Sequence, residues 1–219
     1  MRYYQWHSKK KEELRIGKVI CLARTYVKHA EEMNADVLPN PVIFLKPSSA
    51  IIFSGESIVY PSQTHCVHHE IELGIVIGRE GTAIPIKNAF EYILGYCIAL
   101  DITARDLQMK AKKQGLPWTT SKGFDTFAPI SEIVDKQDVK DPHNIQLELR
   151  VNKELRQQDS TSHLVWTIPE LISHISRIMT LERGDLILTG TPSGVSEIKK
   201  GDIIHASSNI LCDLTVNVI

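Results

Sequence analysis

Two glutamates separated by one residue, Glu70 and Glu72, stand in the run His69-Glu70-Ile71-Glu72-Leu73-Gly74-Ile75-Val76-Ile77-Gly78. The run alternates polar and apolar and then turns wholly apolar, which is a strand pattern. On a strand, residues i and i+2 point the same way, so the two carboxylates project side by side. Like charges that close raise each other's pKa, and a cation between them relieves the cost. Carboxylates beside water positions suit a hard divalent ion such as Mg²⁺, Mn²⁺ or Ca²⁺. Asp101 follows the apolar strand Gly95-Tyr96-Cys97-Ile98-Ala99-Leu100 and precedes a charged helix. A strand end is where a side chain can leave the core, so Asp101 is a candidate third ligand. Three carboxylates completed by waters describe a Mg²⁺ or Mn²⁺ site open to substrate. Plainer readings exist: a solvated strand face for the glutamates, and a helix N-cap for Asp101.

His29 and Glu32 form a second constellation, three residues apart on one helix face. A carboxylate bonded to one imidazole nitrogen fixes the tautomer and makes the other nitrogen a better base towards water. The same spacing is common on solvated helices. His65, Cys66, His68 and His69 offer a rival zinc reading. On a strand, Cys66 and His68 share a face with Glu70, while His65 and His69 share the other. Structural zinc motifs pair their ligands across a longer segment, so partly exposed histidines are the simpler reading.

These groups need strands and short helices to position them. Residues 16–22 and 42–45 read as strands, and residues 25–34 as a helix. Residues 51–77 read as short strands broken by turns at Ser54-Gly55 and Pro61-Ser62. A short helical turn is expected at 89–93. A charged helix is expected at 103–114, stopped by Gly115 and Pro117. Residues 145–151 alternate as a half-exposed strand. An amphipathic helix at 169–179 carries Leu171, Ile172, Ile175 and Ile178 on one face. Residues 186–188 and 213–219 are further strands. Many short strands with few, separate helices predict a β-rich α+β protein.

The bulk numbers exclude several classes. Lys+Arg is 25 and Asp+Glu 26 in 219 residues, which gives no support for nucleic-acid or anionic-membrane binding. No apolar run approaches the ~20 residues of a membrane helix. The first residues lack an apolar signal core. Cys21, Cys66, Cys97 and Cys212 are widely spaced in apolar surroundings and read as reduced thiols of a cytoplasmic protein.

Taken in order, seven segments resemble the fumarylacetoacetate hydrolase family. They are His29-Ala30-Glu31-Glu32-Met33, Phe44-Leu45-Lys46-Pro47, His69-Glu70-Ile71-Glu72-Leu73, Leu100-Asp101-Ile102-Thr103-Ala104-Arg105-Asp106, Gly115-Leu116-Pro117-Trp118, Ser121-Lys122-Gly123-Phe124-Asp125 and Leu188-Thr189-Gly190-Thr191-Pro192-Ser193-Gly194-Val195. The resemblance is strongest to the short acylpyruvate hydrolase and oxaloacetate decarboxylase branch. It covers residues 16–219 as one catalytic domain and leaves residues 1–15 as a short extension.

The resemblance implies a mixed sandwich or roll of β-sheets, usually a homodimer. It implies Mg²⁺ or Mn²⁺, for which Ca²⁺ could substitute, on Glu70, Glu72 and Asp101. It places His29 and Glu32 on a lid helix as the base pair, and Lys122 beside the developing enolate. Arg24, Arg105, Gln108 and Thr191 fall at substrate-side positions. One departure is Ala23-Arg24-Thr25-Tyr26, where the family often has Gly-x-Asn-Tyr; it bears on the substrate more than on the metal.

The implied reaction is metal-dependent hydrolysis of a C–C bond in an acylpyruvate, such as acetylpyruvate or fumarylpyruvate, to pyruvate and a carboxylic acid. Oxaloacetate decarboxylation would use the same enolate site. Two alternatives remain. One is an isomerase or decarboxylase of hydroxy-diene-dioates from aromatic catabolism. The other is a non-catalytic metal- or ligand-binding protein.

Overall fold

The protein is described here by a computed structural model covering residues 2–8, 12–27, 32 and 40–219. His29 and most of the expected helix at 25–34 lie outside the described residues. Among the described residues, sixteen strands form three sheets. The largest runs β2 (Val42–Lys46), β1 (Val19–Ala23), β13 (Leu186–Leu188), β6 (Ile71–Ile77), β7 (Ile93–Leu100), β9 (Ala128–Ile130), β3 (Ile51–Phe53), with β10 (Val134–Asp135) also paired to β7. The second runs β12 (Glu154–Ser160), β11 (Gln146–Val151), β15 (Ile203–Ser208), β16 (Leu214–Val218), β4 (Ser57–Ile58). The third runs β14 (Ser196–Ile198), β5 (Val67–His69), β8 (Thr103–Ala104). Among the described residues, three complete α-helices accompany them: α1 (Arg105–Gln114), α2 (Thr119–Lys122) and α3 (Ile168–Ser176). The fold is the expected strand-rich α+β class.

Strand β6 is the middle of the large sheet, antiparallel to β13 on one side and β7 on the other. All seven of its residues are buried, so both faces are covered. Leu73, Ile75 and Ile77 pack with Ile20, Leu22, Ile98 and Leu100 and with Leu171, Ile172 and Ile175 of α3. Val76 joins Val19, Cys21, Cys97, Leu186 and Leu188 in a second cluster. The period of two assigns alternate residues to the two clusters. Each fully buried Leu or Ile contributes on the order of 1.5–3 kcal/mol. Gly74 allows β6 and β7 to approach, since a Cβ there would lie 2.6 Å from Cys97 Sγ. Tyr4 and Leu14 also belong to the second cluster, so the stretch read as an extension contributes core side chains.

Four local expectations need correction. The Glu70–Glu72 run is not one continuous strand: β5 ends at His69 and β6 begins at Ile71, and Glu70 is where the chain changes sheet. The charged helix starts at Arg105 because Thr103 and Ala104 pair with β5 instead. Asp101 is therefore not its cap; Asp106 serves the first turn, accepting from Leu107 N–H at 2.9 Å. Helix α3 ends at Ser176, which leaves Ile178 59% exposed rather than on the apolar face. Gly115 ends α1 as expected, in the left-handed conformation at φ 66°. Among the described residues no helix is long and apolar enough to cross a membrane.

Candidate active site

The β6–β7 pairing builds the carboxylate cluster. Ile71 lies opposite Leu100, so the residues just outside the register, Glu70 and Asp101, face each other. Asp101 N–H donates to Glu70 O at 2.9 Å and locks that junction. Glu72, the second residue of β6, points into the same space. Glu70, Glu72 and Asp101 each offer an oxygen within 4.8 Å of the other two, and all three are buried. The sheet change at Glu70 thus leaves the convergence expected from the sequence intact.

Cations surround two of the three carboxylates. Lys122, on the short helix α2, donates to Glu70 Oε2 at 2.8 Å, Asp101 Oδ2 at 2.5 Å and Thr103 Oγ1 at 2.6 Å. Burial pulls its pKa down, but Asp101 and Glu70 more than offset this, so its ammonium is held above the ordinary lysine range. The Arg105 guanidinium bonds Glu70 Oε1, donates to Gln108 Oε1 at 2.6 Å and reaches His68 Nδ1 at 3.4 Å. Glu72 differs: it accepts from Gly190 N–H at 2.6 Å, and burial, then Asp101 and Glu70, drive its pKa well above the carboxylate range.

Lys46 supplies the test of whether a metal fits. Its Nζ lies 2.8 Å from Asp101 Oδ1. All three of its protons nevertheless go to carbonyls: Ile102 O at 2.9 Å, Lys122 O at 2.6 Å and Phe127 O at 2.9 Å. Asp101 Oδ1 therefore feels a positive charge but receives no hydrogen bond, although it is buried. A buried carboxylate oxygen with open lone pairs, next to a glutamate that resists ionisation, fits a hard cation. The donor set is all oxygen, which suits Mg²⁺ or Mn²⁺ better than zinc. The rival zinc quartet does not assemble among the described residues. Cys66 Sγ pairs with His68 Nε2 at 3.3 Å, and His69 turns to Gln157 and Ser196.

A cavity opens over the cluster. It is lined by Arg24, Arg105, Gln108, Lys122 and Thr191, all expected from the sequence, together with the three carboxylates. Arg24 holds a left-handed backbone at φ 64° as it leaves β1, a conformation that costs a non-glycine residue on the order of 1 kcal/mol. The Thr191 hydroxyl donates to Ile71 O at 2.8 Å. Gly190 must be glycine: φ is 94°, and a Cβ would collide with Thr25 Oγ1. Glu32 is exposed and its carboxylate accepts from Gly194 N–H at 3.1 and 3.2 Å. Its expected partner His29 lies outside the described residues.

Sequence reasoning missed four residues. Lys112 lines the cavity and follows Arg105 and Gln108 on one face of α1, at i+7 and i+4, a signal that was available. Its ammonium sits 5.1 Å from the centroid of Trp118, a second lining residue. Burial, then Arg105, lowers the Lys112 pKa. Lys46 and Gln157 act through tertiary contacts that no local pattern announces.

The profile described as fumarylacetoacetate (FAA) hydrolase C-terminal matches residues 18–219. The human protein named oxaloacetate tautomerase FAHD1, mitochondrial, is 44% identical over 218 residues, covering 99% of this chain and 94% of its own length. The structure of fumarylpyruvate hydrolase from Pseudomonas aeruginosa in complex with Mn²⁺ and pyruvate superposes with a TM-score of 0.95 at 36% identity, over 100% of this chain and 95% of that one. The 5-carboxymethyl-2-hydroxymuconate delta-isomerase of Mycobacterium smegmatis gives 0.84 at 41% identity, over 94% of this chain and 80% of that one. With a profile covering all but its first residues and relatives matched nearly end to end, the chain belongs to the fumarylacetoacetate hydrolase family.

Proposed function

We propose that this protein is a divalent-metal-dependent enzyme that hydrolyses a C–C bond in acylpyruvates. The observation that carries the reading is the buried cluster of Glu70, Glu72 and Asp101 with the Lys122 ammonium bonded across two of its members. Glu70, Glu72 and Asp101 would hold Mg²⁺ or Mn²⁺, and the Pseudomonas structure, a complex with Mn²⁺ and pyruvate, supports that choice. Bound there, the ion supplies Lewis acidity towards the carboxylate and keto oxygens of a 2-oxo acid.

The chain's own groups do the rest. Arg105 and Gln108, tied to each other, present fixed donors to the substrate carboxylate. Lys122, kept charged, offsets negative charge that develops on the keto oxygen. We assign His29 as the base that takes a proton from water, with Glu32 orienting it. The resulting hydroxide adds to the distal carbonyl carbon. The C–C bond then breaks, its electron pair passes to the pyruvate fragment as an enolate, and a proton completes pyruvate. The products are a carboxylic acid and pyruvate. Four free cysteines, two of them buried, support a reducing compartment such as the cytoplasm.

A second reading is keto–enol tautomerisation or decarboxylation of oxaloacetate, favoured by the name of the human relative. It needs the enolate site and Lys122 but no hydrolytic base. One assay separates the two. Acetylpyruvate, fumarylpyruvate and oxaloacetate are each followed by ultraviolet absorbance with Mg²⁺, with Mn²⁺ and with chelator. Metal-dependent loss of an acylpyruvate to pyruvate is the expected result. Turnover of oxaloacetate alone selects the second reading. No metal-dependent change with any of the three overturns both.

A further inference from the structure

Gln157 is a neutral residue on a polar strand, yet it is only 1% exposed and every hydrogen-bonding valence of its amide is engaged. Its Oε1 accepts from Ile71 N–H at 3.0 Å and from His69 Nδ1 at 2.9 Å. Its Nε2 donates to Thr191 Oγ1 at 2.8 Å and to Pro192 O at 2.9 Å. The orientation is forced, since Ile71 can only donate and the Pro192 carbonyl can only accept. The His69 ring then carries its proton on Nδ1, and Nε2 accepts from Ser196 Oγ at 2.8 Å.

The two sides of this amide hold different halves of the site. The acceptor side grips the Ile71 backbone N–H and the His69 ring, from the two residues that flank Glu70, where the chain changes sheet. The donor side grips the loop that carries Thr191, three residues before Gly194. Gly194 lies so close to β12 that a Cβ would meet Arg156 O, the neighbour of Gln157, and its N–H donates to the Glu32 carboxylate. Ile71 O closes the ring by accepting the Thr191 hydroxyl. From a third element, β12, the amide therefore bonds both the His69–Ile71 segment and the Thr191 loop, beside the direct Thr191–Ile71 and Gly190–Glu72 bonds.

We propose that Gln157 is a positioning residue: through its two-sided amide it fixes the Thr191 loop against the carboxylate cluster and so sets the affinity for the 2-oxo acid. This rests on the assignment of Thr191 to the substrate side. Substituted singly, Gln157→Glu keeps the acceptor side and loses the donors to Thr191 and Pro192. Gln157→Met keeps the bulk and loses both sides. Steady-state kinetics on the substrate turned over best, Mn²⁺ affinity of the substrate-free protein by calorimetry, and thermal unfolding are measured on each.

Gln157→Glu is expected to raise KM at least tenfold with kcat and the Mn²⁺ dissociation constant within threefold of the parent. Gln157→Met is expected to raise KM and also to weaken Mn²⁺ at least tenfold. If Gln157→Met does not fold, Gln157→Glu, which retains half the bonds, decides. A folded Gln157→Glu protein with unchanged KM overturns the proposal, as does loss of thermal stability alone in both variants. A parent protein that turns over no 2-oxo acid overturns the function instead. The Mn²⁺ comparison between parent and Gln157→Met then still decides whether the amide positions the cluster, and equal affinities refute it.

Discussion

Replacing Lys46 by methionine tests the electrostatic frame of the site without touching a carboxylate. Methionine fills nearly the same volume and carries no protons. Three consequences follow from the geometry. Asp101 Oδ1 loses the positive charge 2.8 Å away. The Ile102 and Lys122 carbonyls lose the donors at 2.9 and 2.6 Å. The Phe127 carbonyl keeps another donor, Ile102 N–H at 3.1 Å. Removing one member of a buried ion pair costs about 3–5 kcal/mol, a range that already includes part of the roughly 1–3 kcal/mol for each stranded carbonyl. The expected loss is therefore about 3–5 kcal/mol, or roughly 6–20 °C in Tm for a domain of this size at ~2–4 °C per kcal/mol. Urea unfolding followed by circular dichroism measures it. Lys199→Met on the surface is the control and should stay within about 0.5 kcal/mol of the parent. A Lys46→Met protein that loses less than about 1 kcal/mol would refute the view that this lysine anchors the three carbonyls and Asp101.

Other perturbations separate the roles. Glu70→Ala should abolish Mn²⁺ binding by calorimetry and activity together; retention of either contradicts the cluster as the metal site. His29→Ala should remove acylpyruvate cleavage far more than oxaloacetate decarboxylation, and intact cleavage would show the base assignment to be wrong. Lys112→Met should lower kcat/KM for dicarboxylic oxaloacetate at least tenfold relative to acetylpyruvate, because an ammonium at the cavity mouth favours a second carboxylate; an equal effect on both argues against that role. Burial lowers the His69 pKa to about 4, so the folded state keeps it neutral where the unfolded chain, near 6.5, takes up a proton. Stability is then complete above pH 6.5 and falls as the pH drops towards 4, by about 3 kcal/mol for this one group. Urea midpoints at pH 7 and 4.5 measure the slope, and His69→Gln should reduce it, leaving the part due to His68, whose pKa burial also lowers to about 4.

The sequence carried the carboxylates well because their signals are local. Glu70 and Glu72 show through alternation, and Asp101 shows because an apolar strand stops there. The alternation misled in detail, since it cannot reveal that two short strands in different sheets abut at Glu70. Strand β12 went unread because its residues are nearly all polar, with burial confined to Gln157 and Ser160. Lys46 stands in one of the segments that carry the family resemblance, but the sequence assigns it no role; that role depends on carbonyls from residues 102, 122 and 127, which only the fold brings together. Ile178 had the right spacing for the apolar face of α3, but the helix ends before reaching it. The carboxylates were legible from patterns within a dozen residues, whereas Lys46 and Gln157 depend on contacts across the chain.

The register of β6 against β7 has a consequence for how such proteins diversify. All three carboxylates ride on adjoining strand ends of the antiparallel β6–β7 pair, so the acidic cluster is one local unit. Much of the rest of the cavity lining arrives separately, on α1, on α2 and on the loop after β13. Substitutions in those later segments can redirect the chemistry while the pair stays as it is. One scaffold can then serve proteins named as a hydrolase, an isomerase and a tautomerase, as the relatives of this chain do.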